Sequence, residues 1–313
     1  MKFLSTMNYN KKLDDVVKFL KKPTQKKLNN EFLADCHDKN DNYKKAVRAR
    51  KCGTYLEMRI YNDDHAELHK SNFCKARLCP MCNWRLSLKR FAILSSVTEL
   101  AKKDRYQMLF LTLTVRNVSA IDLKLEIANI FKAWSNLSDK NAIFKKSIHG
   151  WFRALEVTYN RDTDTYHPHL HVILAVKKTY WNKDYFITQE DWQNLWQKSL
   201  KIDYSPIIHI QKVYSKSTKK SSAEVEASKY SIKDSDYLIK NDLNLSSKIV
   251  DILDKSLKSV RLIAYGGILK NYFQDLEVDE NDYEDEILSE DINYIIKKYF
   301  WNFGISRYRE VKD

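Results

Sequence analysis

The sequence predicts an α+β fold, in which a central antiparallel sheet is flanked by helices and preceded by a cysteine-rich segment. The main observation is an irregular order of strand and helix patterns between residues 105 and 215. Two of these strands are joined by a short polar turn, which is typical of an antiparallel hairpin. Only five Gly and four Pro occur in 313 residues, so long flexible linkers are not expected.

The balance of charges favours a polyanionic partner. Lys and Arg number 54 against 41 Asp and Glu, which gives a net charge of +13. The ten carboxylates within residues 275–291 make the remaining chain more basic still. A body of this charge attracts nucleic acid and gains affinity by releasing counterions. Neither an apolar run of membrane-spanning length nor a signal peptide is evident, so a cytoplasmic protein that does not enter the membrane is expected.

Four segments are predicted along the chain. Residues 1–45 form a polar N-terminal arm with an amphipathic helix that ends at Pro23. Residues 46–90 carry four of the five cysteines, and residues 91–250 carry the predicted sheet. Residues 251–313 contribute a strand, the acidic segment and a closing aromatic helix over 292–300.

The individual elements follow from hydrophobic periodicity. Alternation predicts strands, and apolar residues three and four apart predict helices. The predicted strands cover 55–61, 108–115, 151–159, 169–176, 207–213 and 260–265, and the predicted helices cover 84–100, 121–147 and 191–200.

A histidine-rich strand supplies candidate metal ligands. His169 and His171 are two residues apart and share one face of the strand, and His167 falls on the same face across Pro168. Glu156 projects from the hairpin partner strand. Two imidazoles and one carboxylate leave coordination positions open for phosphate and water, which fits Mg²⁺ or Mn²⁺, with the imidazoles favouring Mn²⁺. The alternative is a pair of half-buried histidines without a ligand.

A second segment offers a nucleophile. Glu226, Tyr230 and Lys233 share one face if residues 226–233 form a helix. A neighbouring cation such as Lys233 activates a tyrosine by lowering its pKa or by neutralising the phosphate that it attacks. Glu226 is a candidate general base for water. Tyr237 is a rival nucleophile or a packing residue, and the whole pattern is also compatible with an ordinary solvated helix.

The cysteines suggest a structural zinc site. Cys79 and Cys82 have zinc-knuckle spacing, and Cys74 precedes them by five residues. Cys52 is a candidate fourth thiolate. The alternatives for the fourth ligand are Cys36-His37, His65 and His69, and the alternative for the whole group is a set of buried free thiols.

Three motifs occur in a fixed order, and together they resemble a known family. They are the strand at residues 110–118, His-Pro-His-Leu-His at 167–171 and Glu-Ala-Ser-Lys-Tyr-Ser-Ile-Lys at 226–233. The chain resembles the replication initiator proteins of rolling-circle plasmids from Gram-positive bacteria, within the HUH endonuclease superfamily. The resemblance spans roughly residues 47–270 and includes the blocks at 74–85 and 261–267.

The resemblance implies a catalytic domain of HUH type over residues 91–250. It implies that His169, His171 and Glu156 hold the metal, that Tyr230 is the nucleophile and that Glu226 promotes hydrolysis at termination. Such proteins nick one strand at the plasmid's double-strand origin through a 5′-phosphotyrosine, and a host helicase and polymerase then continue. Other hypotheses are a relaxase or transposase of the same superfamily and a non-catalytic, zinc-dependent DNA-binding regulator.

Overall fold

The computed structural model describes residues 3–61, 65–213, 233–279 and 294–311, with side chains from residue 18 onward. The chain divides into two compact units. One unit comprises residues 1–86, 238–251 and 281–313, and the other comprises residues 87–237 and 252–280. The first unit thus gathers N-terminal, cysteine-bearing and C-terminal residues that are far apart in sequence. We call it the cysteine unit, and the second the histidine unit.

Antiparallel pairing joins every strand in both sheets. The strands are β1 Tyr55–Tyr61, β2 Ala66–Ser71, β3 Gln107–Thr114, β4 Gly150–Asn160, β5 Thr165–Val176, β6 Ile208–Lys212, β7 Ile263–Gly267, β8 Tyr294–Asn302 and β9 Arg307–Glu310. The α-helices in the described part of the chain are α1 Phe3–Lys39, α2 Tyr43–Lys51, α3 Pro80–Lys103, α4 Leu123–Ser135, α5 Ala142–Ser147, α6 Gln189–Leu200, α7 Asp234–Tyr237, α8 Leu243–Ser256 and α9 Ile268–Asp275. None of the described helices is both long and apolar enough to cross a membrane.

The cysteine unit contains a four-stranded sheet in the order β2-β1-β8-β9. Alternate residues of β1 are buried on one face, with Leu56 and Met58 almost fully enclosed. They pack with Tyr299 and Trp301 of β8 and with Leu20 of α1. Strands β1 and β8, which are far apart in sequence, therefore share one small core.

The histidine unit is built on a five-stranded sheet in the order β6-β3-β5-β4-β7. The central strands β3, β5 and β4 are mostly buried, which explains their nearly continuous apolar sequence. On one face, Trp151 of β4 meets Trp134 of α4 edge to face at 5.1 Å between ring centroids. The indole N–H of Trp196 in α6 donates to the backbone carbonyl of Thr114 at 2.9 Å. Helices thus close this face.

The opposite face of the five-stranded sheet has two different halves. Towards the start of β3 it is apolar, and Phe110, Phe152 and Ile173 pack with Leu94 of α3 and Leu269 of α9. Beyond this core, the same alternating positions of β4 and β5 carry polar side chains. Because the residues along this face change from apolar to polar, the histidine-bearing half is not part of the hydrophobic core. This half is therefore the candidate functional surface of the sheet.

The structure confirms the α+β class with helices around antiparallel sheets. It corrects the closing helix predicted over 292–300, because Tyr294–Asn302 is the strand β8, which pairs with both β1 and β9. It also corrects the helix end at Pro23, which lies inside α1. Helix α1 continues because its later residues Leu33 and Ala34 are buried, and this packing offsets the lost backbone hydrogen bond.

Candidate metal centre and its setting

Three successive cross-strand pairs form the polar half of the sheet face. Glu156 on β4 lies opposite His169 on β5, and Thr158 lies opposite His167. In the opposite direction along the hairpin, away from the turn, Ala154 lies opposite His171. Paired residues of an antiparallel ladder project on the same side, so the hairpin register itself brings the carboxylate beside the imidazoles.

The side chains of Glu156, His169 and His171 converge on one point. Nε2 of His171 lies 2.8 Å from Oε2 of Glu156 and 3.2 Å from Nε2 of His169. Nε2 of His169 lies 3.7 Å from the same carboxylate oxygen. Adjacent ligands of an octahedral ion with bonds of about 2.1 Å lie about 3.0 Å apart. The three separations therefore fit one face of such an octahedron, with the remaining positions free for substrate.

The positions of the two imidazoles are supported from the sheet. His169 directs Nδ1 towards the backbone carbonyl of His167 at 3.2 Å, which leaves Nε2 for the centre. Nδ1 of His171 lies 3.4 Å from the hydroxyl of Thr112, and its ring stacks on Phe110. An outer partner on the second ring nitrogen is typical of metal-binding histidines because it fixes the ring orientation.

Electrostatics favour an ionised carboxylate at this centre. Burial by itself would raise the pKa of Glu156, but hydrogen bonds with His169 and His171 outweigh it and hold that pKa well below its usual range. Glu156 is only 3% exposed, and His169 and His171 are almost as buried. A buried carboxylate beside two imidazole nitrogens is a set of ligand atoms that a divalent cation would complete.

The other predicted residues of this region have different positions. His167 is not among the three residues whose ligand atoms meet, and burial, followed by the charge of His169, lowers its pKa. Nζ of Lys233 lies 3.2 Å from Oε1 of Glu156, a contact that sequence reasoning did not anticipate. Tyr237 is fully buried, as expected of a packing residue. Glu226 and Tyr230 lie outside the described residues.

A second ligand group lies in the cysteine unit. The Sγ atoms of Cys52, Cys74, Cys79 and Cys82 lie within 4.8 Å of one another. Neighbouring Sγ atoms are 3.4 Å apart for Cys52 and Cys79, 3.6 Å for Cys52 and Cys82, and 3.7 Å for Cys74 and Cys82. Tetrahedral zinc with bonds of about 2.3 Å requires sulfur atoms about 3.8 Å apart. The four thiols are therefore close to the arrangement of a Cys₄ zinc site.

Local structure explains how Cys52 reaches this group from a distant part of the sequence. Gly53, the next residue, has φ of +68°, and an added Cβ would come within 2.8 Å of Cε of Met81. The hydroxyl of Tyr308 also donates to the Gly53 carbonyl at 2.5 Å. Backbone N–H groups of Cys74 and Cys82 point at the sulfur atoms of Cys52 and Cys79, each at 3.4 Å.

The polar surroundings of the sulfur cluster include a contact from outside the cysteine-rich segment. Sγ of Cys79 lies 3.2 Å from Oδ1 of Asn30 in α1. Hydrogen bonds from the other three cysteines hold the pKa of Cys74 far below that of a free thiol. In the described chain, Cys36, His37, His65 and His69 are not part of the group, so Cys52 is the fourth member.

Comparison with known proteins finds relatives that match most of the chain. The model of a replication protein family matches residues 65–309. A "Protein rep" of Lactiplantibacillus plantarum is 37% identical over 247 residues, which cover 76% of this chain and 77% of the relative. A "Protein rep" of Bacillus amyloliquefaciens is 36% identical over 290 residues, covering 85% and 84%.

A "Protein rep" of Staphylococcus aureus is 33% identical over 229 residues, which cover 72% of this chain and 98% of the relative. No solved structure matches the chain. The family match covers most of the sequence, including the histidine strand, the tyrosine motif and three of the four clustered cysteines. The chain therefore belongs to the replication protein family and is a plasmid replication initiator.

Proposed function

We propose that this initiator nicks and rejoins one DNA strand at its plasmid origin, with a divalent cation at Glu156, His169 and His171 and with Tyr230 as nucleophile. The observation that carries the proposal is the contact between Lys233 and Glu156. It joins the tyrosine motif to the metal ligands. Three residues span at most about 11 Å, so the covalent chain limits how far Tyr230 can lie from Lys233.

The residues divide the reaction between them. A bound Mg²⁺ or Mn²⁺ would polarise the scissile phosphodiester and offset its charge. The Tyr230 oxygen attacks phosphorus and gives up its proton to solvent, the bond between phosphorus and the 3′ oxygen breaks, and the departing 3′ oxygen takes up a proton. The product is a 5′-phosphotyrosine and a free 3′-hydroxyl, which primes synthesis. Lys233 places a positive charge beside the reacting phosphate.

Release needs a different group. The phosphotyrosine keeps the energy of the broken ester, so a 3′-hydroxyl can displace Tyr230 and close a strand. At termination Glu226 accepts a proton from water, which attacks the second phosphate in place of a tyrosine. Rejoining and release therefore have separate determinants, and a change at Glu226 is expected to impair release while leaving the first nick largely intact.

The remaining parts of the proposal concern binding. The four cysteines hold structural Zn²⁺, which stabilises the cysteine unit. Origin DNA, both double-stranded and single-stranded, is the partner favoured by the net charge of +13. In the cytoplasm, a host helicase unwinds the duplex and a host polymerase extends the primer. The family match favours this function over a relaxase or a transposase, whose DNA targets differ.

A labelled single-stranded origin oligonucleotide tests the chemistry directly. Wild-type protein with Mn²⁺ is expected to give a covalent band on a denaturing gel, and Tyr230→Phe is expected to give none while retaining DNA binding. Tyr237→Phe is the matched control, because the buried Tyr237 is expected to leave the band unchanged. A full-yield band from Tyr230→Phe would remove that residue from the role. Tight DNA binding without any covalent band would favour the non-catalytic regulator.

A further inference from the structure

An open cleft of about 510 Å³ lies at the turn end of the β4–β5 hairpin. Thr158 and His167 line it from the sheet, Asn117 lines it from the segment after β3, and Asn160 and Arg161 line it from the turn. All of these residues belong to the histidine unit. None of them belongs to the candidate metal group.

The cleft directly continues the metal centre. The cross-strand pair of Thr158 and His167 follows the pair of Glu156 and His169 along the same sheet face. The rings of His167 and His169 are 5.1 Å apart between centroids. A DNA strand whose scissile phosphate lies at His169 must continue past the metal ligands, and the cleft is within one residue pair of them.

The lining offers both hydrogen-bond donors and acceptors. Asn117 uses its NH₂ group to bond Thr165 at 3.0 Å, which leaves its carbonyl oxygen as an acceptor. Asn160 uses its carbonyl oxygen to bond the backbone of Asp162 and Thr163, which leaves its NH₂ group as a donor. The Thr158 hydroxyl adds a group that can do either. These are the groups that read the edge of an unpaired base.

Tyr159, the tyrosine of the cleft, is not positioned to stack on a DNA base. The Tyr159 hydroxyl donates to Asp164 at 2.9 Å, and its ring is tilted against the buried ring of Tyr166. His167 is half-buried, and its buried Nδ1 has no hydrogen-bond partner among the described groups. Arg161 and Asp162 are both exposed, so the mouth of the cleft carries one positive and one negative charge.

We infer that this cleft binds the nucleotide next to the scissile phosphate and selects its base through hydrogen bonds. The inference rests on the proposed function, since it takes single-stranded origin DNA as the ligand. It gives His167 a role in specificity rather than in metal binding. It also places part of the sequence recognition within one nucleotide of the chemistry.

The test uses single-stranded oligonucleotides in which each base flanking the nick is replaced in turn. Their binding is measured by fluorescence anisotropy in a Tyr230→Phe background, and their cleavage is measured with otherwise wild-type protein. Thr158→Val keeps the β-branched shape and removes the hydroxyl. His167→Phe keeps a ring beside His169 and removes the nitrogens. Thr179→Val, at an exposed position of the histidine unit outside the cleft lining, is the control.

Both cleft variants are expected to lose about 10-fold in preference for the natural base at one position adjoining the nick, since one good hydrogen bond to a base is worth roughly this factor. Preferences for bases at the other positions and the Mn²⁺ requirement should stay unchanged.

Base preferences that survive at every position in both variants would overturn the inference. An equal loss at all positions would also overturn it, because His167 would then only support His169. Binding preferences in the Tyr230→Phe background remain readable even if no covalent band forms, so failure of the cleft and failure of the proposed function are distinguishable.

Discussion

The ammonium group of Lys233 lies 3.2 Å from Oε1 of Glu156, while Oε2 of the same carboxylate lies 2.8 Å from Nε2 of His171. One carboxylate thus serves two neighbours of different kinds. Its Oε2 belongs to the ligand group, and its Oε1 contacts Lys233, the last residue of the tyrosine motif. Both contacts share the buried carboxylate of Glu156, so a substitution of Lys233 is expected to change the interaction of Glu156 with His171, and the reverse.

Replacing Lys233 should separate metal binding from chemistry. Lys233→Ala removes a cation that competes for Glu156, so the Mn²⁺ concentration for half-maximal nicking should fall severalfold. The nicking rate at saturating Mn²⁺ should drop about 10-fold, because a charge beside the reacting phosphate is lost. Single-turnover nicking across a Mn²⁺ titration measures both effects. Lys240→Ala, an exposed lysine seven residues on, should change neither, and an unchanged rate for Lys233→Ala would show that the contact only anchors the chain.

The depressed pKa of Glu156 predicts a pH-dependent contribution to stability. The folded pKa lies below that of an unfolded glutamic acid, about 4.3. The ionised carboxylate therefore stabilises the fold above pH 4.3, and this contribution is lost as the pH falls towards the folded pKa. In protein dialysed free of Mg²⁺ and Mn²⁺, Glu156→Gln should lower the free energy of unfolding at pH 7 by about 1–2 kcal/mol.

Urea unfolding between pH 3 and pH 7 measures this difference. The difference in the free energy of unfolding between wild type and Glu156→Gln should become smaller below pH 4. Glu99→Gln, at an exposed position of α3, should give no comparable gap at any pH. A gap for Glu156→Gln that widens on acidification would contradict the assigned direction of the pKa shift.

Loss of a sulfur ligand should abolish zinc binding. Wild-type protein is expected to contain about one zinc per chain, as a single Cys₄ site requires. Cys79→Ser should lose it and lower the Tm of the cysteine unit by on the order of 10 °C, since metal binding contributes directly to folding. Elemental analysis and calorimetry measure the two effects. Cys36→Ser should keep its zinc, because Cys36 lies outside the group; zinc lost equally from both variants would rule out the assigned ligands.

The turn at Gly53 offers a second test of the cysteine site that leaves every ligand in place. Gly53→Ala forces a side chain into a left-handed conformation and towards Met81, at a cost of about 1–2 kcal/mol. We expect lower thermal stability and faster zinc loss to a chelator. At Gly304 an added Cβ would meet only the flexible end of Asn302, so Gly304→Ala is the matched control. Equal zinc retention by both variants would show that the turn does not position Cys52.

Local sequence was sufficient to predict which site residues lie close together where those residues are near one another in the chain. The turn after Asn160 fixes the hairpin register, so the proximity of Glu156 to the histidine strand could be predicted without tertiary information. The close spacing of Cys74, Cys79 and Cys82 made their grouping predictable in the same way. For Cys52 the sequence left several alternatives open, because its position depends on the turn at Gly53 and on contacts with residues far along the chain.

Sequence reasoning failed where packing between distant segments decides the outcome. In β8 the outward-facing residues Ile296 and Phe300 are apolar although exposed, which hides the alternation of a strand. Its pairing with β1 could not be read from either segment alone. The contacts of Lys233 with Glu156 and of Asn30 with Cys79 likewise depend on long-range folding and leave no periodic signal.

The pairing of β1 with β8 sets an order for biosynthesis. Residue 55 emerges from the ribosome long before its partner, residue 300, whereas every described strand of the histidine unit ends by residue 267. At the synthesis rate of about 5–20 residues per second, β1 spends on the order of 10 to 50 seconds with one edge unpaired. A nascent chain could thus complete its metal-binding sheet while the sheet of the cysteine unit still awaits its last strands. Slow translation of the final segment would lengthen the period in which that open edge can pair wrongly.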